Sequence, residues 1–380
     1  MSPPRSAPRR MPRQAARMPG SEPQRTVPAR SAQELLARHV PGRADPLHVL
    51  EVLLQHFNTQ HTARHKSVSH KTRHERARYL RQFFHDLQAK AGFRTMPDPR
   101  NLGQKHLQAM VQIWQRERLA PATVQTYLSF LRGLAGWLGK PGMVRKPAHY
   151  GMRAQEYQRH EVAQSDKSWS AHGVDIDAVL AQVTPFDARV AASLRLMDAL
   201  GLRQKEAVMF RPHAHVLPFA QTGLPPEQRK ADDYAWIKGK GGRVRWIALE
   251  TPAQRAAVQC ARAVVDGREA HMGHPDRGLD RNLRRLNYVL EKFGITKRLA
   301  GVSSHGLRHG NANDLYEAVA GQPSPVRGGG HVPEALDRIA RRAVAERAGH
   351  VRLRASAPYI GSARSSRAQP AARRPDDLPR

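Results

Sequence analysis

Apolar positions recur at helical spacing through the first half of the chain. In SHKTRHERARYLRQFFHDLQ, Tyr79, Leu80, Phe83, Phe84 and Leu87 share one face, while Arg73, Arg76, Arg78 and Arg81 cover much of the remainder. NLGQKHLQAMVQIWQRE puts Leu107, Met110, Val111 and Trp114 on one stripe. APATVQTYLSFLRGLAGWLG begins with Pro121 at a helix start and stacks Val124, Leu128, Leu131, Ala135 and Leu138. These patterns predict a small helical bundle over 45–145, with Trp114 and Trp137 in its core.

The pattern fades over 146–168, where Pro147, Gly151 and many polar residues read as a linker. A second folded region is expected over 169–361. Val190, Leu194 and Met197 mark a helix that stops at Gly201, and Leu283, Leu286, Leu290 and Phe293 mark another, closed by Gly294. DDYAWIKGKGGRVRWIALE differs in kind. Two strand-like runs, 234–238 and 243–249, flank Gly239-Lys240-Gly241-Gly242, which predicts a β-hairpin with a basic, glycine-rich tip carrying Trp236 and Trp246 on its arms. Thr251-Pro252 then reads as a helix cap with proline at the first position. Residues 1–44 and 362–380 are rich in Arg, Pro and Ser without apolar period, and are expected to be disordered tails. The expected fold is mainly α with a small β-hairpin or sheet.

Charge sharpens this picture. The chain has 380 residues, with 63 Lys plus Arg against 32 Asp plus Glu, a net charge of +31. Such an excess repels itself in a compact protein and suits a polyanionic partner, of which nucleic acid is the first expectation. Acids are sparse among the basic residues of the first region, so Arg73, Arg76 and Arg81 are expected to face DNA, as are Arg243 and Arg245 on the hairpin. No apolar run approaches the length that spans a bilayer, and no amphipathic helix with an exposed apolar face argues for a membrane surface. The N-terminus lacks an apolar secretory segment, and its early prolines oppose a helical transit peptide, so a cytoplasmic, DNA-associated protein is expected. Cys260 is the only cysteine, which excludes intrachain disulfides and a cysteine-rich zinc site.

Chemistry-bearing residues fall in four separated pieces. GLRQKE offers Arg203 and Glu206, three apart and therefore neighbours on a helix. The hairpin tip offers Lys240, with Lys238 as an alternative. HGLRH offers His305, Arg308 and His309, and AGHVRLRASAPY offers His350 followed by Tyr359. Each piece alone has a bland explanation. Arg203 could be a helix-end arginine, Glu206 a surface carboxylate, Lys240 a solvated turn, His350 a helix-end histidine and Tyr359 a core aromatic. His305 and His309 stand four apart like a metal pair, but Gly306 occupies the place where a metalloprotease motif needs glutamate, so no metal is expected. GKGG lacks the P-loop spacing.

Together, and in this order after a basic helical region, the pieces resemble the tyrosine recombinase, or phage integrase, family. GLRQKE is similar to its first arginine box, KGKGGRVR to its lysine hairpin, HGLRH to its second arginine box, and GH with the later Tyr359 to its nucleophile segment. The resemblance implies a two-domain DNA clamp, in which a helical core-binding domain precedes a mixed α/β catalytic domain. It implies site-specific recombination through a 3′-phosphotyrosine, integrating or excising a mobile element. The implied catalytic set is Arg203, Lys240, His305, Arg308, His350 and the nucleophile Tyr359, with Glu206 orienting Arg203. Double-stranded DNA is the implied partner, with a homotetramer assembled on it, room for accessory DNA-bending proteins, and no cofactor.

The chemistry is consistent with these residue types. A nucleophile, fork-shaped donors for two non-bridging oxygens and an acid for the leaving oxygen are what metal-free phosphodiester exchange needs. The alternatives are a relaxing enzyme like a type IB topoisomerase and a catalytically silent DNA-binding protein. Two features depart from the family pattern. The interval from Arg308 to His350 is long and contains AGQPSPVRGGGH, which is expected to break a compact helical pair. Pro358 also directly precedes Tyr359, and proline biases Ala357 away from the helical region.

Overall fold

The computed structural model describes residues 31–61, 67–239 and 242–362. The chain divides into two compact units, on either side of Arg159 and His160.

The first unit is helical: α1 (Ala32–Leu36), α2 (Pro46–Phe57), α3 (His70–Ala89), α4 (Gln104–Arg116), α5 (Pro121–Trp137) and α6 (Ala154–Tyr157). Local chemistry sets the starts. The Asp45 carboxylate accepts from the amides of Leu47 and His48 ahead of Pro46, and Ser69 Oγ accepts from Thr72 N. Leu50, Leu53, Leu80, Phe83, Leu107, Met110, Leu128 and Leu131 meet in one core, with Trp114 inside it and Trp137 half-buried at its edge.

The expected disordered tail at 1–44 is corrected at its C-terminal end. Ser31 and Glu34 form a capping box that starts α1, and Ala32 and Leu36 enter the core. Residues 1–30 lie outside the described residues. The boundary between the units falls inside the expected linker over 146–168, most of which is exposed. Its two ends are packed: Tyr150 and Met152 are buried in the first unit, and Ala163 and Ser168 in the second.

The second unit contains α7 (Ile176–Val183), α8 (Ala188–Leu200), α9 (Gln204–Val208), a sheet, α10 (Pro252–Ala263), α11 (Leu279–Lys292), α12 (His305–Ala320), α13 (Glu334–Arg347) and α14 (Ala357–Ile360). The sheet is antiparallel, ordered β1 (Val216–Pro218), β2 (Asp233–Lys238), β3 (Val244–Ala248). The predicted hairpin is β2–β3, with Trp236 opposite Trp246 and Lys238 opposite Val244. β1, too short to leave a periodic signal, adds a third strand through Val216 opposite Ala235. Thr251 and Gln254 form a capping box for α10. Val190, Leu194 and Met197 of α8 lie in the core beside Ile237 and Ile247 of the sheet and Leu286 and Leu290 of α11.

The stretch expected to break the helical pair does not do so. α12 and α13 pack against each other through Tyr316, Ala320, Ala340 and Val344. Between them, a 3-10 turn at Pro325–Arg327 is tied down by Arg327, which donates to Asp166 at 2.9 Å and to Asp314 at 2.6 Å. Residues 363–380 of the expected C-terminal tail lie outside the described residues.

Candidate active site

Four elements of the second unit bring Arg203, Glu206, His305, Arg308, His350 and Tyr359 to one place. α8 ends at Gly201, whose φ of +63° is the left-handed conformation that stops a helix. The chain reverses there and places Arg203 at the N-cap of α9. Glu206 sits one turn into α9 and is buried. Its carboxylate accepts from Arg203 NH1 at 2.6 Å and Arg203 N at 3.0 Å, and from Arg245 NH2 at 2.8 Å and NH1 at 3.2 Å. Burial alone would raise the Glu206 pKa. Hydrogen bonding and charge from Arg245, then Arg203, outweigh it and hold the carboxyl at about 2.

Arg308, on the first turn of α12, is 2% exposed. Its guanidinium donates through NH1 to the Gly201 carbonyl, through NH2 to the Ala348 carbonyl at 2.6 Å, and through Nε to Tyr359 Oη at 3.1 Å. The same Ala348 carbonyl accepts from Arg203 NH2 at 3.3 Å, and His350 Nε2 lies 3.3 Å from that nitrogen. Two guanidinium groups, a histidine and a tyrosine hydroxyl therefore converge. The fixed planar forks are held by carbonyls and a carboxylate, so little reorganisation is left for an incoming anion.

The histidines are tuned to be neutral. Burial, then the charges of Arg308, Arg203 and Lys167, push His305 down to about 4, although the residue as a whole is exposed. His309 is buried and is pushed down to about 4, first by burial and then by His305 and Lys167. Its ring centroid is 5.0 Å from that of Tyr359, and its Nδ1 has no hydrogen-bond partner. His350 is lowered by burial and then by Arg203, Arg308 and Arg245. Imidazoles shifted towards the neutral form beside two cations suit a site that gains an anion and takes up protons when it does.

Tyr359 is on α14 and is buried. Ala357 adopts the right-handed helical conformation (φ −55°, ψ −33°) despite preceding Pro358, because α14 is a short turn with proline near its start. Lys240, at the hairpin tip, lies outside the described residues. Lys238 ends β2. Among the described residues, no group of three or more His, Cys, Asp or Glu side chains could hold a metal ion.

Two sequence models match the chain: a phage integrase N-terminal model over residues 55–144, and an integrase model over residues 157–314. The chain belongs to the integrase family of tyrosine recombinases. It is therefore an enzyme that breaks and rejoins DNA strands. The matched span stops short of His350 and Tyr359. A lambda integrase tetramer bound to a Holliday junction shares the fold, with 14% identity, 84% of this chain and 78% of that chain covered, and a TM-score of 0.50. The Tn1549 transposon integrase with circular intermediate DNA is similar at 12% identity, with 83% and 98% covered and a TM-score of 0.47. No curated protein matches the chain in sequence.

Within this recombinase, three arginines expected to face DNA are otherwise engaged. Arg245 is buried on Glu206 rather than exposed on the hairpin. Arg76 is also buried. Its guanidinium stands 5.3 Å from the Trp137 ring and donates to the Gln60 carbonyl at 3.2 Å, because α3 turns this position towards α5. Arg81 is exposed but spans to Glu51 through hydrogen bonds of 2.5 Å and 2.8 Å. Arg243 is exposed, and Arg73 is half-buried beside His70.

Sequence reasoning missed Asn311 and Asn313. Asn311 Nδ2 donates to the carbonyls of Asp198 and Ala199 at the end of α8, at 2.9 and 3.1 Å. Asn313 is fully buried. A signal for it existed: it lies four residues after His309 and three before Tyr316, on the buried face of α12.

Proposed function

We propose that this recombinase cuts and rejoins specific DNA sites through a 3′-phosphotyrosine at Tyr359, integrating or excising a mobile element. The observation that carries this reading is the hydrogen bond from Arg308 Nε to Tyr359 Oη at 3.1 Å, inside a site shared with Arg203 and His350. A hydroxyl resting on a phosphate-type donor stands close to where an attacking oxygen must be.

In the proposed reaction Tyr359 Oη attacks the scissile phosphorus, and the bond to the 5′ oxygen breaks. The tyrosine loses its proton and the 5′ oxygen gains one, so the ester bond is kept in the protein–DNA linkage and religation needs no nucleotide. Arg203 and Arg308 hold the non-bridging oxygens as charge grows on them. Lys240 is assigned the proton for the leaving oxygen. His305 and His350, both shifted away from the charged form, bond the phosphate and share protons with it. Glu206 holds Arg203 in place. Duplex DNA is the substrate, and a homotetramer on paired sites is the assembly consistent with the lambda integrase likeness.

The test is covalent capture. A pool of duplexes with randomised cores and a nick that traps the cleaved strand is incubated with protein, denatured, and sorted for protease-sensitive adducts. Wild type is expected to enrich a core sequence in the adduct, and Tyr359→Phe to give none. An adduct formed equally by Tyr359→Phe would remove Tyr359 as nucleophile. DNA retained on native gels by a wild type that forms no adduct would favour a silent binder.

A further inference from the structure

The long connection between α12 and α13 reaches the tyrosine. Ser324, fully buried near its start, donates from Oγ to Asn313 Oδ1. The Asn313 amide nitrogen donates in turn to the His309 carbonyl at 2.8 Å and to the Tyr359 carbonyl at 3.4 Å. A loop hydroxyl, a helix amide and the main chain of α14 thus form one buried series of bonds. All the hydrogen-bonding groups of the Asn313 side chain have a partner in it, so its orientation is fixed.

The loop is shaped to deliver that hydroxyl. The Ser324 carbonyl accepts from Arg327 N at 2.9 Å and Gly329 N at 3.1 Å, closing a tight turn. A Cβ at Gly329 would stand 1.7 Å from the Pro323 carbonyl oxygen, so only glycine allows the turn to close. Outside, Arg327 joins the turn to Asp166 and Asp314. Two other bonds restrain the same short helix at its ends: Ala163 N donates to the Ala357 carbonyl at 2.9 Å, and Arg341 NH1 to the Gly361 carbonyl at 3.0 Å. Asn313 grips between them, at the tyrosine itself.

We propose that Ser324 and Asn313 are positioning residues, through which the α12–α13 loop sets how Tyr359 meets the phosphate. The inference rests on the reading of Tyr359 as nucleophile. Both residues are fully buried. Ser324 fixes the Asn313 amide, and the amide holds the backbone from which the phenol projects. With the phenol removed by Tyr359→Phe, strand joining by an incoming 5′ hydroxyl on a phosphate already carrying a good leaving group proceeds by direct attack, so it should not feel this series of bonds.

The experiment compares the two reactions on a duplex recovered by covalent capture. The first is single-turnover adduct formation. The second is run with each protein also carrying Tyr359→Phe, on a half-site ending in a 3′-(p-nitrophenyl) phosphate: an added 5′-hydroxyl strand attacks phosphorus, the bond to nitrophenolate breaks, and the hydroxyl proton goes to solvent. Ser324→Ala is expected to slow adduct formation about tenfold while joining stays within about twofold, the scale of loss for a misplaced reactant. Asn313→Asp, which removes both amide donors, is expected to slow it further. If Ser324→Ala leaves adduct formation unchanged, or slows both reactions alike, the positioning role is wrong. If Asn313→Asp loses joining as well, it reports misfolding and Ser324→Ala decides. If Tyr359→Phe joins strands but wild type forms no adduct, the nucleophile reading fails and the inference falls with it.

Discussion

Glu206 shows how far one negative charge organises this cluster of arginines. Arg203 and Arg245 both close on its carboxylate, and Arg308 NH1 is 3.8 Å away. Its pKa of about 2 against an ordinary 4.5 links folding to pH. Because the folded value is depressed, the stabilisation is complete above about 4.5 and is lost as pH falls through about 2. The shift corresponds to about 3 kcal/mol. Glu206→Gln is expected to lower stability by about 3 kcal/mol near neutrality, since it strands buried guanidinium groups. Its denaturant midpoint should approach that of wild type as pH falls towards 2, and parallel curves down to that pH would show that the carboxylate is not the linked group. The sequence reveals the pairing of Arg203 with Glu206, because three residues on a helix suffice for that. It does not reveal Arg245 as the second partner. Alternation along β3 says which residues share a face, not that one face lies over a carboxylate on α9.

Elements were legible where the sequence carries period or punctuation, and Gly201 is the case that matters to the site. The end of α8 is marked by that glycine, but its second duty appears only in three dimensions. A Cβ there would stand 2.6 Å from Asn311 Oδ1, and the Gly201 carbonyl accepts from Arg308. Gly201→Ala combines a left-handed alanine, about 1–2 kcal/mol, with a displaced asparagine. It is expected to cost about 2–3 kcal/mol in stability by thermal or urea unfolding. It should also reduce adduct formation at temperatures where the fold is intact, because the carbonyl that fixes Arg308 moves. Full adduct formation in a folded Gly201→Ala protein would mean that Arg308 is held well enough by Ala348 and Tyr359. β1 and α1 escaped the sequence reading for a simple reason: three and five residues are too few for a period, and their stability comes from β2 and from the bundle core. The α12–α13 connection was read as an interruption because Pro and Gly dominate it. Those residues instead make the turn that buries Ser324.

At the scale of the whole molecule, a net charge of +31 predicts attraction to a polyanion but does not say which cations take part. Composition treats Arg76, Arg245 and Arg243 alike, and the fold does not. Arg76 and Arg245 are buried in the two units, one against Trp137 and the other against Glu206, whereas Arg243 is exposed beside the hairpin tip. Each phosphate contact releases condensed counterions, so the slope of log K against log salt counts the contacts, about 0.9 per phosphate on duplex DNA. Arg243→Gln is expected to weaken duplex binding and to lower that slope by about 1, with unchanged thermal stability. Arg76→Gln should leave the slope unchanged and lower the melting temperature, because it removes a packed stem and a carbonyl partner from a core. The two variants separate charge that meets DNA from charge that builds the protein. A slope that falls equally in both would place Arg76 at the DNA after all. A slope that falls in neither would remove the hairpin from the interface, leaving the long-range field of the whole chain to account for attraction.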